Sequence, residues 1–226
     1  MSAADILARL ARLDACAMSD ALDQLGLSAS ITGLAPQSAR QRISGRVVTV
    51  QLAAGKPPAD APVRHLCTAA IDAAEPGDVV VVEQRTGIEC AGWGGILSNA
   101  ARVKGLAGVI VEGLARDVDE AAEIGFPVYA RGSTARTARG RIHEAATGCP
   151  IGVGDVTVAT GDYVVADGSG AAFVPAARID EVLMAAEAIA AKEAGMTQAV
   201  LAGHPVSAIM GAGYEHLLER KGERES

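Results

Sequence analysis

Chemistry in this chain concentrates between Glu89 and Glu120, ECAGWGGILSNAARVKGLAGVIVEGLARDVDE. The loop Gly92-Trp93-Gly94-Gly95 opens a predicted helix, Ile96 to Lys104, that Gly105 is placed to end. A glycine-rich loop at a helix N-terminus brings bare backbone N–H groups to an anion, and the helix dipole favours that anion. After the helix, Val109-Ile110-Val111 reads as a buried strand running to Gly113, and Arg116-Asp117 follow it. In parallel α/β architecture, ligands collect at the carboxyl ends of strands and at helix N-termini. Arg116 supplies a permanent positive fork that suits a carboxylate. Asp117 offers a hard oxygen ligand for a divalent cation such as magnesium. The loop is not a dinucleotide fingerprint, because the GxGxxG spacing fails, and it lacks the GK[ST] of a phosphate loop. An isolated Arg-Asp pair is most often a surface ion pair of little energy.

Other reactive residue types have blander readings. His65, His143, His204 and His216 show no HxxxH or HxH spacing and read as structural or surface residues. Arg131, Arg136, Arg139 and Arg141 read as a solvated basic loop. Cys16, Cys67, Cys90 and Cys149 form no CxxC pair and read as small apolar core residues, which disfavours both a zinc site and a disulfide framework. Trp93 has two competing readings: it lines a pocket or interface, or it packs in the core.

The surrounding elements must place the loop and the Arg-Asp pair together. Apolar residues at helical spacing (Ile6, Leu10, Leu13, then Met18, Leu22, Leu25) predict two short helices with Ser19-Asp20 capping between them. Residues 43–54 alternate as a strand does, and residues 60–74 read as a helix. Pro76-Gly77-Asp78 turns the chain into Val79–Val82, a continuous apolar run typical of a buried strand. A short helix is expected over 117–124 and a strand over 127–130. Residues 152–165 suggest a hairpin turning at Gly161-Asp162, and Asp167–Gly170 a further turn into the strand Ala172-Phe173-Val174. A long helix from about Ala177 to Gly195 follows, then an extension near His204 to Leu218. With no linker-like stretch, the pattern predicts one mixed α/β domain over 1–220 and a charged, frayed tail at 221–226.

Composition sets limits on function. Of 226 residues, half are hydrophobic and only 3% aromatic, so the core must be built from Ala, Val, Ile and Leu. The net charge of −7 argues against a phosphate-driven nucleic-acid binder. Nothing approaches a membrane span, and the N-terminal stretch lacks the basic start of a secretory signal, so a cytoplasmic protein is expected.

The segment resembles the signature of the RraA-like family, which includes class II pyruvate-dependent aldolases acting on 4-hydroxy-4-methyl-2-oxoglutarate. The family pattern is a glycine or an acid, twenty residues, Arg-Asp, two residues, then an acid; Gly95, Arg116, Asp117 and Glu120 match it. AGVIVEG before the pair and FPVYARG after it agree, as do Ser19-Asp20-Ala21-Leu22, Pro76-Gly77-Asp78 and Gly161 to Asp167. The resemblance implies an α/β fold of the swivelling β/β/α type with N- and C-terminal helices, assembled as a trimer or a hexamer of two trimers with its site at a subunit interface. It implies that Arg116 binds the carboxylate of a small 2-oxo acid, that Asp117 binds Mg2+ or Mn2+, and that backbone N–H groups of Gly94, Gly95, Ile96 and Leu97 hold the pyruvate moiety. Trp93 and Glu120 join these as candidates, and a glutamate from the C-terminal helix of a neighbouring subunit, best matched by Glu193, assists the metal. The implied reaction is retro-aldol cleavage of a 4-hydroxy-2-oxo acid or decarboxylation of oxaloacetate, through a pyruvate enolate and without a Schiff-base lysine. In the family's aldolases the first motif position is acidic; here it is Gly95, for which Glu89, Glu112 or Asp119 are possible substitutes. Some relatives are instead non-catalytic regulators that bind ribonuclease E, which is one alternative reading; the other is a related enzyme with a different substrate, its pocket reshaped by Trp93 and Gly95.

Overall fold

The structure is a computed structural model that describes residues 2–27, 29–59 and 64–210. Its spine is β3 (Ile43–Ala54), a twelve-residue strand with three different partners. Its first residues pair antiparallel with β11 (Tyr163–Asp167), Arg46 opposite Tyr163. Val47–Gln51 then pair in parallel with β4 (Val79–Glu83), and Val50–Ala54 pair antiparallel with β8 (Ile142–Thr147). One strand thereby joins two sheet halves.

The parallel half continues from β4 to β6 (Gly108–Ala115) and β7 (Val128–Ser133), with β5 (Ala91–Trp93) added parallel to the end of β6. The antiparallel half runs from β11 to β12 (Gly170–Val174) and β1 (Ser30–Ile31), and β2 (Ala35–Pro36) borders β7. Alternate residues explain the layering, because successive side chains on a strand point to opposite faces. Val79, Val81, Ile110, Val164, Ala166 and Phe173 form a core between the two halves. Val80, Val82, Val109 and Val111 face α3 (Thr68–Ala73), α4 (Gly95–Lys104) and α5 (Val118–Glu123). Val165, Ala172 and Val174 face α1 (Ala3–Leu10), α2 (Ala15–Gln24) and α6 (Ile179–Leu201). The β/β/α arrangement is thus present, and the N- and C-terminal helices add a fourth layer outside it.

Several local expectations are corrected. Ser19 and Asp20 lie inside α2; its N-cap is Asp14, whose carboxylate accepts from the Ala17 N–H at 2.8 Å. The hairpin near residue 155 joins β9 (Ile151–Val153) to β10 (Val156–Val158), with Gly154 rather than Gly161 at its turn. Gly161, at φ 99°, instead turns the chain into β11, with its N–H donating to the Val47 carbonyl. The helix expected over 60–74 begins only at Thr68, after Cys67 in the left-handed region; residues 60–63 lie outside the described ones. The final long helix runs past Gly195 to Leu201, followed by α7 (Val206–Ile209). Most of the extension to Leu218, His216 and the tail at 221–226 lie outside the described residues. Cys67 and Cys90 are buried, but Cys16 is exposed on α2.

Candidate active site

β6 ends at Ala115, and the next two residues are Arg116 and Asp117. β5 lies beside that strand end, so the glycine loop and the Arg-Asp pair meet: the Arg116 N–H donates to the Trp93 carbonyl at 3.0 Å. Close approach favours glycine here. A Cβ on Gly94 would come within 3.0 Å of Asp117 Oδ2 and 3.2 Å of Arg116 Cγ.

Asp117 sits in the left-handed region at φ 55°, a conformation that Asp and Asn adopt more readily than most residues. This turns its carboxylate onto α4, where Oδ2 accepts the Gly95 N–H at 2.9 Å and Oδ1 accepts from Arg116 Nε at 3.2 Å. The Gly95 N–H bond outweighs the opposing effect of burial and, with the smaller help of the Arg116 bond and charge, holds the Asp117 carboxyl below its ordinary pKa. Asp117 therefore caps α4, whose own cap residue, Gly94, has no side chain. The helical ladder starts at the Ser98 N–H, which donates to the Gly94 carbonyl at 3.0 Å, so the Ile96 and Leu97 N–H groups precede it.

A second carboxylate reaches the same spot. One turn into α5, Glu120 projects over Gly95, and a Cβ on Gly95 would collide with Glu120 Oε2. Asn99 fixes it: Nδ2 donates to Glu120 Oε1 at 2.7 Å and to the Gly95 carbonyl at 3.0 Å. Glu120 thus occupies the room that a side chain at position 95 would need. Two of the proposed substitutes for an acid at that position are engaged elsewhere, Glu89 with Arg136 and Glu112 with Arg131.

The loop borders a pocket of about 390 Å³. Trp93 to Leu97, Arg116 and Asp117 line it, and so do His65 and His143, read from the sequence as structural or surface residues, Arg139, read as part of a solvated basic loop, and Arg64, which the sequence did not single out. Trp93 resolves to both of its readings. Its ring is 2% exposed, its Nε1 donates to Ser98 Oγ at 2.9 Å, and it stacks on Phe126 at 6.4 Å. Its side chain is core, while its residue forms part of the pocket wall. Glu193 is not brought to this pocket within one chain. It lies on α6 near Asp20 and Asp14, where partial burial and then those two charges push its carboxyl up, and it lines a separate hollow with Met196 and Val200.

Among the described residues no three His, Cys, Asp or Glu side chains gather to cage an ion. The donors that do meet at Gly95, the carboxylates of Asp117 and Glu120, are hard oxygens. Magnesium is commonly held by one or two carboxylates, with water and substrate oxygens completing the shell. The donor set fits an open oxygen site of that kind and does not fit a closed structural metal site.

Comparison with known proteins agrees with this fold. A family model described as RraA-like, Aldolase/RraA, matches residues 15–173. A provisionally named 4-hydroxy-4-methyl-2-oxoglutarate aldolase of Halalkalibacterium halodurans is 28% identical over 187 residues, covering 81% of this chain and 82% of that one. Protein DlpA of Legionella pneumophila is 28% identical over 88% of this chain, which spans only 32% of DlpA's own length. In three dimensions, a Pseudomonas syringae protein superposes with a TM-score of 0.82 at 29% identity, covering 92% of this chain and 98% of that one. Streptomyces coelicolor RraAS2, described as an unusual member of the RNase ES inhibitor RraA family, gives 0.72 at 25% identity, covering 86% and 95%. With its fold, its Gly95-to-Glu120 motif and a family model matched along most of its length, the chain belongs to the RraA-like family.

Proposed function

We propose that this pocket binds a small 2-oxo acid and that the protein is a divalent-metal-dependent carbon–carbon lyase, releasing pyruvate by retro-aldol cleavage of a 4-hydroxy-2-oxo acid or by decarboxylation of oxaloacetate. The observation that carries the reading is the meeting of Arg116, Asp117 and the α4 N-terminus in one pocket. A 2-oxo acid presents a carboxylate and a neighbouring oxo group, and that site offers a cationic fork and free-ended helix N–H groups for them.

In this reading Arg116 binds the carboxylate, and the N–H groups of Ile96 and Leu97 orient the pyruvate moiety. Asp117, kept ionised by the Gly95 N–H and by Arg116, would hold Mg2+ or Mn2+ with support from Glu120. The ion, when bound, supplies positive charge against the negative charge that develops on the 2-oxo oxygen. Arg116 adds to that field from the protein. Glu120 Oε2, steadied through Asn99, is the group placed to hold and return a proton beside Gly95. The proposed assembly is a homotrimer or hexamer, with Glu193 of a neighbouring subunit approaching the metal.

Pyruvate release from oxaloacetate and from 4-hydroxy-4-methyl-2-oxoglutarate, followed with a lactate dehydrogenase couple, tests the proposal. Turnover that requires added Mg2+ or Mn2+ and disappears in Arg116→Ala is expected. Folded, oligomeric protein with no metal-dependent turnover of either compound overturns it. The RNase ES inhibitor family of RraAS2, together with the net charge of −7, favours a second reading as a regulator docking on a basic protein surface. Binding to a ribonuclease of that type that persists in Asp117→Ala, without lyase turnover, would select it.

A further inference from the structure

Among the described residues only two besides glycine hold a left-handed backbone, Asp117 at φ 55° and Cys67 at φ 64°. Asp117 lines the pocket; Cys67 does not. Cysteine lacks the short amide or carboxylate that lets Asn and Asp adopt this region at low cost. Such strain persists only where surrounding contacts over-determine it, and it collects at binding and catalytic sites.

The contacts that hold Cys67 are specific. It is fully buried, and its N–H donates to Glu144 Oε2 at 2.6 Å. The other Glu144 oxygen accepts from Thr147 Oγ1 at 2.8 Å, which steadies the carboxylate on β8. Cys67 Sγ donates to the Gly92 carbonyl at 3.6 Å. Burial, then the charge of Glu144, push the thiol well above its ordinary pKa, so Sγ keeps the proton it donates. Three segments therefore meet at one residue: β8 through Glu144, the turn into α3 through the Cys67 backbone, and the glycine-rich loop through Gly92.

Glu144, like Cys67, is absent from the pocket lining, but the neighbours of both residues form it. His65 and Leu66 precede Cys67, and His143 precedes Glu144; these make the far wall, opposite Arg116 and the α4 N-terminus. Thr68 Oγ1 donates to the His65 carbonyl at 2.9 Å and braces the same turn. An anion at the loop requires that the loop's carbonyl oxygens be held away from it. The Trp93 carbonyl is engaged by the Arg116 N–H, that of Gly94 by Ser98 and that of Gly95 by Asn99. The Cys67 thiol engages the Gly92 carbonyl from the α3 side. Without Glu144 the buried Cys67 N–H loses its acceptor, and the left-handed turn loses the bond that holds it. Relaxation of that turn toward extended backbone moves His65 and Leu66 and carries Sγ off Gly92.

We propose that Glu144 is a positioning residue: acting through the strained Cys67 backbone, it locks the far wall of the pocket onto the glycine-rich loop, and so sets the loop's affinity for an anion that Glu144 itself does not touch. That the loop takes an anion rests on the reading above; the lock is tested without a ligand.

Amide hydrogen exchange followed by mass spectrometry reads the lock. Glu144→Ala should speed exchange about tenfold or more over both 64–68 and 91–97, with β11 and β12 exchanging as in wild type. Calorimetric titration of the whole protein with oxalate in the presence of Mg2+ reads the consequence. Glu144→Ala should weaken oxalate binding about tenfold or more, while Glu144→Gln, whose amide oxygen still accepts the Cys67 N–H, should stay within about threefold of wild type. Glu144→Asp, one methylene too short to reach, gives the same comparison if the alanine variant does not fold. Cys67→Gly removes both the strain and the thiol, so adding Glu144→Ala to it should cost at most about threefold more. Equal losses from Glu144→Ala in the two backgrounds, exchange that rises over 64–68 but not over the glycine loop, or unchanged oxalate affinity in Glu144→Ala overturns the proposal. Wild type that fails to bind oxalate while exchange behaves as expected would sink the anion reading and leave the Glu144–Cys67 lock standing.

Discussion

Moving the acid between Glu120 and Gly95 tests how this site does without a carboxylate in its first motif position. Glu120→Ala removes one carboxylate and its hydrogen bond from Asn99, which is exposed, so the stability cost should be at most about 1 kcal/mol. If Glu120 moves the proton, loss of a positioned acid or base costs roughly 100-fold to 10,000-fold in turnover, about 3–5 kcal/mol of barrier. Gly95→Asp alone should also impair turnover, because its side chain grows from the Cβ position that collides with Glu120 Oε2 and adds a like charge beside it. The double variant Gly95→Asp/Glu120→Ala clears that collision and returns a carboxylate to the same place. It should recover turnover to within about tenfold of wild type. Pyruvate release from oxaloacetate at saturating Mg2+, with thermal unfolding measured in parallel, reads both quantities. Glu120→Ala within about threefold of wild type, or a double variant no better than either single one, refutes the reasoning.

Other outcomes can be checked more simply. Asp117→Asn keeps a residue tolerant of φ 55° but removes the charge, so it should abolish metal-dependent turnover with little loss of fold. The folded-state pKa of Asp117 is depressed, so its stabilising contribution is full above the unfolded value near 4 and is lost as pH falls through the folded value; in denaturant titrations the wild-type advantage over Asp117→Asn should shrink below about pH 4. Trp93→Ala should cost about 3–5 kcal/mol, because a fully buried ring stacked on Phe126 is removed, and urea unfolding would report it. Trp93 is the chain's one tryptophan, so native emission should be blue-shifted and move to the red in a single step on unfolding. Asp162→Ala should destabilise by about 1–3 kcal/mol, since its carboxylate accepts from both the Ala159 and Ala176 N–H groups at 2.9 Å; a shift in urea midpoint under about 0.5 kcal/mol would contradict that.

The site's near side was legible because its parts are close in sequence or carry unmistakable chemistry. Gly94, Gly95, Arg116 and Asp117 come from a strand–loop–helix unit whose geometry is local once β6 is recognised. That Glu120 fills the space above Gly95 was less visible: the motif names both residues, but only helical geometry shows that one turn of α5 carries the acid back over the loop. The far wall was not legible at all. It depends on β8, whose sequence IHEAAT has no strong alternation and becomes a strand by pairing with β3. The misplaced hairpin has the same origin. Gly161-Asp162 carries the right turn chemistry, but partner choice is non-local: the strand after it pairs with β3 and β12, while β9 and β10 pair with each other.

The three-partner strand also governs the order in which the chain can assemble. β3 waits for β11, more than a hundred residues later, and β1 waits for β12, with Ser30 opposite Ala172. On a ribosome, the parallel half can form as soon as β7 emerges, yet the antiparallel edge of β3 stays open until β11 and β12 follow. Such non-local pairing is slow, and an open strand edge is an aggregation hazard during that interval. A chain stopped between residues 150 and 160 would therefore hold the whole glycine-rich loop and Arg-Asp pair on an unfinished sheet, and yields of soluble protein should fall sharply for truncations ending before Val174.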